Sequence, residues 1–173
     1  AIGICALATL KSLGIKNVCV IDTNKERLEI AKKLGYFLCF NPLKNKDINN
    51  IKKLYPKGFD GCIESAGYVD TIELGFSLIN SEKGKIIFAS HPANNKKIRI
   101  DPHELIKGKK IIGSWGGNTL PKKDVYKMFR LFRKNNINFY NIFKSRYNFY
   151  NINQAISDFK SGKSIRPLIK MPH

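Results

Sequence analysis

The chain has 173 residues, 43% of them hydrophobic and 25% charged, a balance that suits a globular domain able to bury its own core without metal or disulfide staples. No run of about 18 apolar residues offers a membrane span, and the small apolar start lacks the basic leader and cleavage site of a secretory signal. The net charge of +18 comes from lysines set beside asparagine and isoleucine in every loop, as in Leu43 to Lys53 and Asn94 to Lys97, so compositional bias accounts for it without a membrane or nucleic-acid partner.

In chain order, Ala1, Ile2 and Gly3 open directly into a small-residue helix, expected near Gly3 to Leu13. A β-rich run from Asn17 then ends in an acid at Asp22. Next comes a helix from Asn24 to Leu34, whose Leu28, Ala31 and Leu34 recur at three-residue spacing, with Gly35 as its stop. Strands are expected at Phe37 to Phe40, Phe59 to Ser65, Lys85 to Ser90 and Lys110 to Ser114, with helices near Lys46 to Leu54 and Val69 to Leu78. Such alternation is the pattern of βα units wound around a parallel sheet.

After Asn94 the rhythm changes. Asp101 and Pro102 to Ile106 read as a short capped helix, and Gly113 to Asn118 as a glycine-rich turn. Val125, Met128, Phe129 and Phe132 mark a helix within Lys122 to Lys134 before an asparagine-rich stretch breaks the pattern, and a helix at Ile152 to Lys160 precedes a strand at Arg166 to Lys170. Cys5, Cys19, Cys39 and Cys62 are dispersed in apolar stretches with no C-x-x-C spacing, so they read as buried, reduced thiols of a cytoplasmic protein. His91, His103 and His173 are scattered and sit at no metal-ligand spacing with a cysteine; they read as loop or surface residues.

Gly3 and Asp22 stand about as far apart as the third glycine of a G-x-G-x-x-G turn and the acid that holds an adenosine ribose. On this reading the first strand and two glycines precede residue 1. The competing reading of Asp22 is a plain cap for the helix that follows.

The stretch from Asp22 to Gly35 resembles the "D-x-N-x-x-[KR]-x-x-x-A-x-x-x-G" signature of zinc-type alcohol dehydrogenases of the medium-chain family. Phe40-Asn-Pro42, Phe59 to Glu64 with Gly67, Gly108 to Gly113, Gly116-Gly117, Ile152 to Ala155 and Ser161 to Arg166 resemble later segments of that family, in its order.

The resemblance implies an α/β, Rossmann-type doubly wound parallel sheet, N-terminally truncated, at residues 1–118. Residues 119–173 would be a C-terminal segment that returns to the catalytic domain. It implies that Asp22 holds the adenosine ribose with Arg27 beside it, that Thr23 borders the adenine, and that Arg166 reaches the pyrophosphate. Ala89, Ser90 and Trp115 would meet the nicotinamide. NAD rather than NADP is the expected cofactor, because an acid repels a 2′-phosphate. The catalytic zinc would have its ligands outside this chain. The intact enzyme would oxidise an alcohol or polyol and form a homo-oligomer, and this chain alone would not turn over. Three rivals stay open: a zinc-free quinone or enoyl reductase of the same superfamily, a non-catalytic remnant, and a basic nucleic-acid-binding module.

Overall fold

A computed structural model describes residues 1–138 and 143–172, the side chain of Asn45 excepted. These form an α/β chain in which every paired strand is parallel to its neighbour. Two compact units divide it. One comprises Ala1, Gly3–Phe40 and Met128–His173, the other Ile2 and Asn41–Lys127.

In the first unit α1 (Ile2–Ser12) leads to β1 (Cys19–Ile21), α2 (Lys25–Lys33) and β2 (Leu38–Phe40), with β1 paired to β2. Leu7 of α1, Ala31 of α2 and Tyr36 form its buried nucleus, against which Val18, Val20, Leu34 and Cys39 pack. The phenol of Tyr36 keeps its polar end satisfied by donating to Ile15 O at 3.0 Å. Gly35, at φ 99°, ends α2 in a conformation that a side chain would strain.

The second unit holds α3 (Asn45–Leu54), β3 (Gly61–Glu64), α4 (Val69–Leu78), β4 (Lys85–Phe88), α5 (Pro102–Ile106) and β5 (Lys110–Gly113), with strand order β3-β4-β5. Ile72 and Phe76 of α4 lie on Ile86 of β4 and on Ile79, and burying such side chains contributes about 1.5–3 kcal/mol each. The buried ammonium of Lys109 donates to Phe76 O at 3.0 Å, satisfying a carbonyl in the last turn of α4. It also pairs with Glu104 at 2.8 Å, and that hydrogen bond holds the Glu104 carboxyl below its usual range.

Beyond β5, a 3-10 turn at Gly116–Asn118 leads to α6 (Pro121–Lys134), none of whose residues is fully buried. Then follow β6 (Arg146–Asn148), a 3-10 turn at Phe149–Asn151, α7 (Ile152–Lys160) and β7 (Leu168–Lys170), with β6 paired to β7 in the first unit. None of the helices among the described residues is long and apolar enough to cross a membrane.

The α/β class and the order of elements agree with the sequence reading; three details differ. Each expected strand is shorter, because only the residues in the ladder count: Asn17 to Asp22 becomes Cys19–Ile21 and Arg166 to Lys170 becomes Leu168–Lys170. The β6 strand was not expected. Cys5 is exposed rather than buried, since the face of α1 that packs carries Ile4, Leu7 and Ala8. Cys19, Cys39 and Cys62 are half-buried, and burial pushes the Cys62 thiol up to about 11. His173 and part of the asparagine-rich stretch lie outside the described residues.

Candidate functional site

Five of the eight residues singled out from the sequence fall in the first unit. Asp22 follows β1 directly, and its N–H donates to Phe40 O at 3.2 Å, which puts it at the carboxyl end of both paired strands. In parallel α/β sheets this is the end at which ligands bind. One carboxylate oxygen accepts from Asn24 N at 2.8 Å and the other lies 3.8 Å from the Arg27 guanidinium. The side chain is 27% exposed, so the pair is open on one side.

Asn24, not Asp22, is the N-cap of α2, its side-chain oxygen accepting from Arg27 N at 3.2 Å. This cap fixes where Arg27 leaves the helix. Although Arg27 is partly exposed, its Nε is buried and has no hydrogen-bond partner among the described residues. A buried donor without an acceptor is costly, and an oxygen-bearing ligand would relieve it. Thr23 is exposed on the turn between Asp22 and Asn24.

Gly3 lies in the first turn of α1, which has no side-chain cap and no acidic residue there. The positive end of the helix dipole is therefore unneutralised by its own sequence. Arg166 is exposed, two residues before β7.

The other three residues fall in the second unit, and two of them, Ala89 and Ser90, hydrogen-bond Glu64, an acid that the sequence reading treated only as part of a motif. Glu64 ends β3 and is 5% exposed. One of its oxygens accepts from Ala66 N at 2.7 Å, Gly67 N at 2.9 Å and the Thr71 hydroxyl at 2.8 Å; the other accepts from the Ser90 hydroxyl at 2.9 Å. Ala89 N donates to Glu64 O at 2.9 Å. The carboxylate thereby ties the β3–α4 turn to the chain leaving β4, and four donors offset its burial. The ring of Trp115 is 81% exposed and meets His91 edge-on at 4.7 Å between centroids. The signal for Glu64 in the sequence was an acid closing the apolar run Cys62-Ile63.

Among the described residues, no group of three His, Cys, Asp or Glu side chains could hold a metal ion, so these residues do not fit zinc. They do fit the adenosine end of a dinucleotide. A half-open carboxylate offers acceptors for ribose hydroxyls, and the orphaned Arg27 Nε and the uncapped end of α1 supply donors.

Residues 1–134 match a family model described as zinc-binding dehydrogenase. The chain is 28% identical over 174 residues to alcohol dehydrogenase class-2 isozyme 2 of Oryctolagus cuniculus, covering 97% of this chain and 45% of that protein. It is 25% identical to alcohol dehydrogenase-like 1 of Arabidopsis thaliana, covering 99% of this chain and 45% of the relative. The crystal structure of benzyl alcohol dehydrogenase from Acinetobacter calcoaceticus superposes with a TM-score of 0.90 at 28% identity, over 99% of this chain and 47% of that one. This chain belongs to the zinc-binding dehydrogenase family, and its fold is that of the Rossmann-like half of such enzymes. It spans about half the length of the relatives it matches.

Proposed function

We propose that this chain is the NAD-binding portion of a zinc-dependent alcohol or polyol dehydrogenase. In this reading residues 1–118 form the dinucleotide-binding domain, and 119–173 return to the catalytic part. Bound NAD supplies the hydride acceptor, and every other contribution of the chain is binding and orientation. Zinc belongs to the proposal for the whole protein only, with ligands outside this chain, and this chain alone would not turn over.

The observation that carries the reading is Asp22, half-open at the carboxyl end of β1, with the unpartnered Nε of Arg27 nearby. Asp22 would accept from the ribose hydroxyls, and Arg27 would donate beside it. Thr23 would border the adenine. Gly3, as the third glycine of the turn, would let α1 pack closely on the sheet, and Arg166 would pair with pyrophosphate oxygens, for which a guanidinium's parallel donors are suited. Ala89, Ser90 and Trp115 would meet the nicotinamide, held through Glu64 and by the His91 contact. A cytoplasmic setting and a homo-oligomer, dimer or tetramer, through the edge strand β5 belong to the same proposal.

Calorimetry on the whole protein tests the cofactor assignment. NAD is expected to bind at least tenfold more tightly than NADP, because a 2′-phosphate would face the Asp22 carboxylate. Equal affinities would remove the assignment.

A further inference from the structure

We propose that Asp158 is a positioning residue for the dinucleotide site, resting on the reading above: its carbonyl holds the loop 161–167 while its carboxylate anchors the residue to β6, and together they set where Arg166 stands. Asp158 lies on α7 and is 7% exposed, yet it is not an isolated buried charge. The phenol of Tyr147, on β6, donates to one of its oxygens at 2.7 Å. Gln154 Nε2 donates to the other at 2.9 Å, and the ammonium of Lys163 stands 3.7 Å from that oxygen.

The backbone of the same residue works on the same loop. Asp158 O accepts from Ser164 N at 2.9 Å and from the Ser161 hydroxyl at 3.2 Å. One residue therefore holds the loop from the α7 side through its carbonyl and joins it to β6 through its carboxylate. β6 is in turn hydrogen-bonded to β7, where the loop ends, and Leu168 N donates to Ser145 O at 2.9 Å.

The clamped loop reaches the cofactor cluster. A methyl group placed on Gly162 would stand 3.5 Å from Asn24 Nδ2 and 3.7 Å from Arg27 Nη2, so the loop is seated against the cap of α2 and the guanidinium next to Asp22. Arg166 lies four residues further on. Loosening the clamp frees the arginine without removing it, and an arginine that must be ordered on binding contributes less affinity.

The test uses Asp158→Asn and the milder Tyr147→Phe in the whole protein, reading NAD affinity by calorimetry, kcat at saturating NAD, and amide hydrogen exchange at residues 161–166. Asp158→Asn is expected to raise the Kd for NAD about tenfold with kcat unchanged, and to speed exchange in the loop. Tyr147→Phe should act in the same direction and more weakly, and the Asp158→Asn effect should shrink below twofold in an Arg166→Ala background. An unchanged Kd in both variants, or a tenfold loss undiminished without Arg166, would overturn the proposal. Should the unsubstituted protein bind no NAD, the cofactor reading falls, and unchanged loop exchange in Asp158→Asn would independently remove the clamp.

Discussion

Replacing Asp22 by alanine is expected to weaken NAD binding by about 2 kcal/mol, roughly 30-fold, while leaving NADP binding unchanged or improved. The carboxylate would accept two ribose hydroxyls in charge-assisted bonds, and each such bond is worth about 1.5–3 kcal/mol where solvent is excluded. Partial exposure of Asp22 discounts that sum below its lower end, to about 2 kcal/mol. The same substitution removes the acceptor for Asn24 N and the ion pair with Arg27, so the turn that presents the site also loosens. Asp22→Asn separates the two effects: the amide oxygen keeps the turn, and the charge that excludes a 2′-phosphate is gone. Calorimetry with both cofactors should therefore show an eroded preference in the Asn variant and a larger loss of NAD affinity in the Ala variant. An Ala variant that keeps the full preference would contradict the role given to this carboxylate.

The second large effect is on stability. Gly108 lies between α5 and β5 with φ at +125°, a backbone conformation that L side chains rarely adopt. A methyl group there would strike the carbonyl oxygen of Glu82, which is backbone and cannot swing aside. Backbone strain costs about 1–3 kcal/mol and forced overpacking about 1–3 more, so Gly108→Ala should cost about 3–5 kcal/mol. For a chain of this size that lowers Tm by about 10 °C. Gly61→Ala provides the comparison, because its new methyl would meet only Lys85 O at 3.8 Å without a positive φ. Scanning calorimetry showing equal small shifts for the two variants would contradict the close approach at Gly108.

Where local chemistry decides the structure, the sequence was informative. Leu28 and Ala31 are buried as the helical spacing implied, Gly35 ends α2, and the Asp101 side chain accepts from His103 N at 2.9 Å as a helix cap. Positions decided by contacts distant in sequence were harder to read. β6 carries a single half-buried residue, Tyr147, between exposed Arg146 and Asn148, and it exists because β7 pairs with it some 20 residues later. A strand of that composition leaves no hydrophobic alternation to read.

The same limit separates the residue pairs that a motif can capture from those it cannot. Asp22 and Arg27 are five residues apart on one strand–helix turn, so a spacing motif captures them. Glu64 and Ser90 are 26 positions apart, and Tyr147 and Asp158 are 11 apart. Their side chains meet only once the strands are in register, and nothing local marks them as partners. Cys5 errs in the other direction. Its place in an apolar stretch reads as buried, whereas α1 buries only the face that carries Ile4, Leu7 and Ala8.

A crystal structure of the whole protein with bound NAD would show whether the Asp22 carboxylate meets the adenosine ribose. The Asp22 carboxylate is expected within about 3 Å of the adenosine ribose hydroxyls, the distance of a charge-assisted hydrogen bond. A dinucleotide bound with its ribose elsewhere and Asp22 still turned to Asn24 and Arg27 alone would contradict it.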